Sequence, residues 1–271
     1  MRRRELLGGT LTSLVLAACT PREEARCPEP QKSPPPPLPD RRPTIVTPKA
    51  GDKIRVLCIG AHPDDPETAC GGTLARYAEA GHDVHVLYMT KGELGIVGKS
   101  PDEAGAIRAA EAEEACKALG AKPHFFGHPS GAIKFDRPTA DQLVAKLDAI
   151  APDLVLSHWP IDTEYDHQIV AALALHAWLA KPRRHPLYLF EVEAGTQSLG
   201  FVPHAYVEIA GQLPKKLAAI RAHKSQEVER RAYEKHHEPM ERFRAREIAG
   251  VAAEAYAILS PEARMGTLPG L

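Results

Sequence analysis

The sequence predicts an α/β fold in which helices cover a mostly parallel sheet, and two observations support this. Beyond Gly51, short apolar runs typical of strands alternate with longer amphipathic stretches typical of helices. Polar segments directly follow several predicted strands, and open α/β sheets bind ligands beyond the carboxyl ends of their strands. Because there is no internal repeat and no second linker, we expect one domain over residues 51–271.

The predicted strands are short runs of aliphatic, β-branched and aromatic residues, the first of which is KIRVLCIG. In chain order they span 53–60, 83–90, 123–127, 153–159, 186–192 and 205–209. The segments around them are longer and amphipathic, as helices that cover a sheet are. Helices are predicted over 71–81, 102–120, 141–150, 166–180 and 213–230, with a last one within 246–259.

The first twenty residues have the features of an export signal. Three arginines precede an apolar stretch over 6–18 that is too short for a permanent spanning helix, and small residues precede Cys19. RRREL resembles a twin-arginine signal, and LAAC resembles a bacterial lipobox. We therefore expect a signal peptide over 1–18 and a lipidated Cys19, with an uncleaved N-terminal anchor as the alternative.

Residues 19–50 are rich in proline and charge and lack hydrophobic periodicity, which predicts a disordered tether. The protein is therefore expected to be an exported bacterial envelope lipoprotein that meets the membrane only through its lipid. Thr20 stands where inner-membrane lipoproteins often carry Asp, which favours a periplasm-facing or outer-membrane location.

Charge and cysteine content exclude several other classes. A formal net charge of −1 argues against bulk nucleic-acid binding. The cysteines beyond Cys19 are widely spaced and form no CxxC pair, so neither a disulfide framework nor a thiolate zinc site is expected. The sequence leaves open whether one disulfide forms, because export leads to an oxidising compartment.

The segment GAHPDDPETACGG, directly behind the first predicted strand, concentrates candidate metal ligands. GxGxxG is absent, and acidic side chains would repel a pyrophosphate, so a dinucleotide site is excluded. Of the adjacent Asp64 and Asp65, one is expected to bind a metal ion while its neighbour faces a water molecule. His62 adds a nitrogen ligand, and this set of donors suits zinc, iron or manganese better than calcium.

His167 opens a predicted helix at the same edge of the sheet, with Asp166 as its expected cap. Three protein ligands and a water molecule form an open catalytic zinc site, so we expect Zn²⁺, with Fe²⁺ as the alternative. The simpler interpretation is that His62, Asp64 and Asp65 only cap the helix that follows them, and that His167 is a solvated residue in the first turn of its helix.

The segments AHPDDPE, TKGELG, IRAAE, HWPIDTEYDH and AHKSQ together resemble the PIG-L/LmbE deacetylase family over about residues 53–258. The resemblance implies a Rossmann-like three-layer sandwich. It also implies zinc-dependent hydrolysis of N-acetyl groups, usually on substrates that contain N-acetylglucosamine. Carried over by position, it implies His62, Asp65 and His167 as metal ligands and Asp64 as the general base.

One position departs from the family pattern. Members carry a His three positions before the last ligand, where it stabilises the oxyanion and is oriented by the intervening Asp, here Asp166. This chain has Glu164 at that position. Because an ionised carboxylate repels an oxyanion, Glu164 must be protonated, turned away or replaced by another donor, such as Tyr165 or His158. With a pKa raised by burial, it would instead serve as a general acid.

The family resemblance also suggests roles for two residues farther along the chain. Arg108 is expected to contact substrate hydroxyls, although an intrahelical ion pair with Glu111 is an equal alternative. His223 is expected to line the pocket or to pack within its helix.

Four further polar residues are expected to support the structure. Glu67 and Glu93 are predicted to brace the site through hydrogen bonds rather than to touch substrate. His236 and His237 are predicted to be exposed residues near a helix end.

The leading hypothesis is a zinc-dependent N-deacetylase whose small-molecule or glycan substrate is an amino sugar or sugar conjugate bearing an N-acetyl group. Glu164 keeps open a second hypothesis, a non-catalytic envelope lipoprotein that binds glycans through a zinc pocket. A third is an amidase that acts on a sugar thiol conjugate. The sequence leaves the particular sugar and the oligomeric state open.

Overall fold

The computed structural model describes residues 44–45, 51–180, 183–193, 195–259 and 268–271. The predicted signal peptide, Cys19 and most of the predicted tether lie outside the described residues. Near the end of that tether, β1, Thr44–Ile45, pairs in parallel with β6, Arg183–Arg184. This short part of the predicted disordered tether is therefore a strand. Within the described ranges, no helix combines the length and the apolar character needed to cross a membrane.

Seven further strands form the main sheet. They are β2 Arg55–Gly60, β3 Asp83–Tyr88, β4 Lys122–Phe125, β5 Leu154–His158, β7 Leu187–Phe190, β8 Ala205–Glu208 and β9 Ala253–Ile258. Their order across the sheet is β4-β3-β2-β5-β7-β9-β8. The first five in this order are parallel, and β9 runs antiparallel to both β7 and β8. The mostly parallel sheet predicted from the sequence is therefore confirmed.

Helices cover both faces of this sheet. The α-helices are α1 Asp65–Glu79, α2 Pro101–Leu119, α3 Arg137–Ile150, α4 Tyr165–Leu179, α5 Leu213–Ala222 and α6 Glu238–Ala245. Alternate side chains of β2 belong to different cores: Val56 packs with residues of α1 and α2, whereas Leu57 packs with residues of α3 and α4. This alternation follows from the two-residue period of a strand, and it gives the predicted three layers.

The C-terminal part of the chain differs from the prediction. The last predicted helix, within 246–259, is wrong, because Ala253–Ile258 forms β9 between β7 and β8. Alanine favours helix, yet Tyr256 and Ala257 must face opposite cores, so tertiary packing overrides local propensity. The helix predicted over 213–230 ends at Ala222, and a π-helix, Glu229–His237, precedes α6.

Candidate active site

A cavity of ≈ 690 Å³ lies at the carboxyl edge of the sheet. Residues that follow β2, β3, β5 and β7 line it, so the predicted convergence of these loops is confirmed. Two parts of the wall were not predicted, namely Ser130 and Gly131 after β4 and the segment 226–237. Loops from five strands therefore share one cavity, as expected for an open α/β sheet.

The chain turns sharply from β2 into α1 at Asp64. This residue has a φ of 112°, a conformation that side chains rarely adopt and that occurs mainly at functional sites. The Asp64 N–H donates to Oε2 of Glu67 at 3.1 Å, and Nη2 of Arg108 donates to Oδ2 of Asp64 at 3.1 Å. Arg108 also donates to the carbonyl of Pro63 at 2.5 Å. These bonds hold the strained turn and present Asp64 to the cavity.

The Arg108 guanidinium reaches this turn because Gly92 leaves space for it. A Cβ at Gly92 would lie 2.3 Å from Nη1 of Arg108, and that atom donates to the Gly92 carbonyl at 3.2 Å. The predicted ion pair with Glu111 is not formed, because the Glu111 carboxylate accepts from the N–H and hydroxyl of Ser225, each at 2.7 Å. Arg108 lines the cavity, but its observed bonds position Asp64.

The three predicted metal ligands lie side by side. Nδ1 of His62 is 3.4 Å from Oδ2 of Asp65, and Nε2 of His167 is 3.3 Å from Oδ1 of Asp65. Ligand atoms around a tetrahedral zinc ion with bonds of about 2.0–2.1 Å are separated by about 3.3 Å. The two imidazoles approach different oxygens of Asp65, so these distances bring the three side chains together without defining one shared ion position. Their N and O donor chemistry suits a zinc-type divalent ion.

Among the residues that the structure describes, two overlapping groups of side chains bring ligand atoms within 4.8 Å of one another. One contains His62, Glu164 and His167, and the other contains Asp65, His158 and His167. His167 is common to both. Glu164 and His158 already accept backbone hydrogen bonds, from the N–H of His167 at 2.8 Å and the N–H of Ala61 at 3.0 Å. Oδ2 of Asp65 likewise accepts from the N–H of His62 at 2.8 Å, so these bonds do not separate the candidates. Neither group contains His62, Asp65 and His167 together, and we keep these three as the candidate set because Asp65 lies within 3.4 Å of both imidazoles.

Each of the two imidazoles has a second carboxylate beside the ring nitrogen that faces away from Asp65. Nδ1 of His167 lies 3.3 Å from Oδ1 of Asp162, and Nε2 of His62 lies 3.1 Å from Oδ2 of Asp166. Asp166 also accepts from the N–H of Gly131 at 2.6 Å. The expectation that Asp166 caps the helix is wrong, because α4 begins at Tyr165 and its N-cap is Glu164.

The charges in the cluster are strongly coupled. Although burial lowers the pKa of His62, its contacts with Asp166 and Asp65 raise it to about 9. Burial also opposes ionisation of Asp65, yet His167 and His158 hold its pKa well below the usual value. For Asp64, burial raises the pKa against the opposing effect of Arg108. A carboxylate with a raised pKa is suited to accept a proton.

A family model described as PIG-L, GlcNAc-PI de-N-acetylase, matches residues 57–178. The chain is also 30% identical over 190 residues to the 4-oxalmesaconate hydratase of Pseudomonas putida, an alignment that covers 63% of this chain and 73% of that protein. The chain belongs to the PIG-L family.

Other relatives of this PIG-L chain carry deacetylase names. It is 29% identical over 189 residues to the diacetylchitobiose deacetylase of Thermococcus kodakarensis, covering 65% of this chain and 71% of that protein. The structure of N,N'-diacetylchitobiose deacetylase from Pyrococcus horikoshii superposes with a TM-score of 0.69 at 24% identity, covering 78% and 88% of the two chains. This superposition confirms the fold. Because one relative is named a hydratase, the reaction of this PIG-L chain must be argued from its own site.

In this PIG-L site, Glu164 caps α4 where the family pattern has a His. Its Oε2 accepts from the N–H of His167, and the same oxygen lies 3.8 Å from Nε2 of that residue. The carboxylate still lines the cavity, so it is only partly turned away from the reacting region.

The two residues expected to replace the missing His donor lie elsewhere. Tyr165 is 52% exposed and does not belong to the cavity wall. His158 is 1% exposed and lies behind Asp65, with its Nε2 accepting the Ala61 N–H. Burial and the nearby His167 lower the pKa of His158 to about 4, so it is uncharged at neutral pH. Neither placement supports substrate contact.

Glu67 connects the Asp64 turn to the protein interior. Its buried carboxylate accepts from the hydroxyl of Tyr88 and lies 3.4 Å from Nε2 of His223. His223 therefore sits behind Glu67, where it borders a separate cavity of ≈ 370 Å³, and the expectation that it lines the main pocket is wrong. Glu93 accepts from the N–H and hydroxyl of Ser130, which agrees with its predicted bracing role.

His237 is the clearest residue that the sequence interpretation misplaced. It was expected to be exposed, yet it is 7% exposed and lines the cavity. Burial and the nearby Lys216 ammonium lower its pKa to about 3, so its imidazole is uncharged. The adjacent His236 is half-buried, 3.7 Å from Oε2 of Glu193. No helical periodicity signals this placement, because the segment is a π-helix.

Proposed function

We propose that this protein is a metal-dependent hydrolase that removes an acetyl group from the nitrogen of an amino sugar or sugar conjugate. The observation that carries the proposal is the placement of the Asp64 carboxylate in the same cavity wall as His62 and His167, with Asp65 between them. A proton acceptor and a set of metal ligands thus face one space. The names of its PIG-L relatives support an N-acetylated sugar as the substrate.

His62, Asp65 and His167 would hold the metal ion, which we take to be Zn²⁺ or another divalent ion such as Fe²⁺. Such an ion supplies Lewis acidity, which makes water a stronger nucleophile at neutral pH and polarises an amide carbonyl. Asp162 and Asp166 fix the orientation of the two imidazoles, so that the ligand set is preorganised.

Asp64 moves the proton. Nη2 of Arg108 donates to its Oδ2, and a carboxylate oxygen of Asp64 takes a proton from the attacking water as the oxygen–carbon bond forms. The same oxygen then returns that proton to the leaving nitrogen as the carbon–nitrogen bond breaks, giving acetate and a free amine. The strained backbone at Asp64 fixes the carboxylate before substrate arrives, which lowers the cost of positioning it.

Acetate release tests this function. We expect zinc-loaded protein to release acetate and amine in equal amounts from N-acetylglucosamine, its methyl glycoside or diacetylchitobiose. Treatment with a chelator should abolish release, and added Zn²⁺ should restore it. An acetylated amino acid serves as a non-sugar control.

One relative is named 4-oxalmesaconate hydratase, so the same protein should be assayed with that compound. Hydration without acetate release from any sugar would overturn the deacetylase proposal. Sugar binding without turnover would instead support the glycan-binding lipoprotein. Export and lipidation at Cys19 remain proposals from the sequence, tested by labelling cells with a radioactive fatty acid and comparing Cys19→Ser with the parent chain.

A further inference from the structure

The π-helix Glu229–His237 forms one wall of the active-site cavity. Arg231 and Lys235 both line the cavity, lie about one turn apart and are exposed, whereas His237 lies buried at the end of the helix. Positive charge is therefore present at the solvent side of the cavity. The candidate metal ligands occupy its buried side, since Asp65 and His167 are almost fully buried.

Neighbouring arginines differ from these two residues in their partners. Carboxylates pair with the other arginines over 221–244, in the pairs Arg221–Glu229, Arg230–Glu227, Arg242–Glu238 and Arg244–Glu191. Among the described residues, no carboxylate oxygen lies within 4.0 Å of the side-chain nitrogens of Arg231 or Lys235. Of the three described arginine and lysine residues that line the cavity, Arg108 is paired with Asp64, whereas Arg231 and Lys235 have no carboxylate within ion-pair distance.

The carboxylates of the cavity wall are engaged elsewhere. Asp64 is held by Arg108, and Glu164 accepts the N–H of His167. Glu193 lies beside His236 rather than beside either cation. The positive charge of the π-helix is therefore available to a molecule that enters the cavity.

We propose that Arg231 and Lys235 bind an anionic group, a carboxylate or a phosphate, that the substrate carries beyond its N-acetylated sugar. This proposal rests on the proposed function, because that function places the acetamido group at the buried side of the cavity. An arginine guanidinium binds both kinds of anion through two parallel hydrogen bonds, and the lysine ammonium adds a second charge. A cavity of ≈ 690 Å³ falls within the range of about 300–1,000 Å³ that holds drug-sized ligands, so it has room for a sugar and a substituent.

Three substrates that differ only at the anomeric position test the proposal: methyl N-acetylglucosaminide, its 2-carboxyethyl counterpart and N-acetylglucosamine 1-phosphate. We expect the parent enzyme to show a higher kcat/KM for the two anionic compounds than for the neutral one. Arg231→Gln and Lys235→Gln should each lower kcat/KM for the anionic compounds by roughly 2- to 5-fold, as for exposed ion pairs. The loss should appear as a higher KM, and it should be larger for the anionic compounds than any change for the methyl glycoside.

Arg230→Gln is the matched control, because Arg230 is an exposed neighbour that is already paired with Glu227 and lies outside this cavity. It removes the same charge and should leave the preference unchanged. Added salt should weaken the preference of the parent enzyme, because exposed charges are screened. Comparison of the carboxyethyl and phosphate compounds shows which anion is bound better.

Equal kcat/KM for the neutral and anionic compounds, or a preference that survives in the Arg231→Gln/Lys235→Gln double variant, would overturn the proposal. Calorimetric binding of glucosamine 1-phosphate and methyl glucosaminide to the same variants requires no turnover. Absence of acetate release would therefore overturn the deacetylase function, while these affinities would still decide whether Arg231 and Lys235 select an anion.

Discussion

Oδ1 of Asp162 lies 3.3 Å from Nδ1 of His167, on the side of the ring opposite the Nε2 that faces Asp65. Asp162 is itself held by the hydroxyl of Ser198 at 3.0 Å. We expect Asp162→Asn to lower zinc affinity by about 10- to 100-fold, because a carboxylate behind a ligating imidazole fixes its orientation and raises its basicity. Competition with a zinc chelator measures the affinity. Asp141→Asn, on the exposed face of α3, is the control, and equal affinity in the two variants would contradict the assigned role of Asp162.

Metal binding should release protons. The pKa of His62 is about 9 in the metal-free protein, so its imidazole is charged at neutral pH and must lose a proton to bind a metal. Zinc affinity should therefore rise with pH up to about 9. Titration calorimetry in buffers of different ionisation enthalpy measures the protons released. An affinity that is constant between pH 6.5 and 9 would show that His62 does not bind the metal.

The same shift predicts a pH dependence of stability without metal. Because the pKa of His62 is raised on folding from 6.5 to about 9, its contribution to the free energy of unfolding is fully present below pH of about 6.5. That contribution is lost as the pH rises through about 9. Urea unfolding of metal-free parent protein and His62→Gln should therefore give stabilities that differ at pH 6 and converge above pH 9.

The sequence predicts the parts of the structure that depend on local pattern. The strand-to-helix turn at Asp64 follows a continuous apolar run, and the loops after β3, β5 and β7 also follow such runs, so this part of the cavity edge could be predicted. The β9 strand could not, because its alanines carry a helical preference that only the neighbouring strands override. The same limit applies to Asp166, whose partner His62 lies 104 residues away in the sequence.

His237 shows a different limit of sequence interpretation. Its burial depends on the π-helix and on a charged network beneath it, neither of which has a clear sequence pattern. The sequence pattern predicts no role for Arg231 or Lys235. Their position at the cavity, and their lack of carboxylate partners, required the packed structure.

A buried lysine ties four elements together beneath the site. Nζ of Lys216 on α5 lies 2.6 Å from Glu241 on α6 and 2.5 Å from Glu254 on β9. Glu254 also accepts the backbone N–H of Gly72 in α1 at 2.9 Å. We expect Lys216→Met to lower the free energy of unfolding by about 3–5 kcal/mol, because it leaves two carboxylates buried without their cation.

Lys215→Met is the control for this substitution, since Lys215 forms an exposed pair with Glu79 and should cost less than about 1 kcal/mol. Urea unfolding at pH 7 measures both variants. Equal stabilities of Lys216→Met and Lys215→Met would show that the buried network does not stabilise the fold.

Glu164→Ser separates two roles of Glu164, which caps α4 and also places a carboxylate in the cavity wall. Serine retains the capping oxygen for the N–H of His167, so the melting temperature should change little. Removal of a carboxylate from the cavity should raise kcat for acetate release by roughly 3- to 10-fold, because a nearby negative charge destabilises a developing oxyanion. A tenfold fall in kcat would instead identify Glu164 as a proton donor.

The measurement that tests the role of Asp64 most directly is zinc content together with acetate release, made on the parent protein, Asp64→Asn and His167→Ala. Asparagine keeps the shape of the side chain but cannot take a proton, so Asp64→Asn should retain zinc in full and lose at least about 100-fold in kcat. His167→Ala should lose both zinc and activity. Near-parental acetate release by zinc-replete Asp64→Asn would contradict the assignment of Asp64 as the general base.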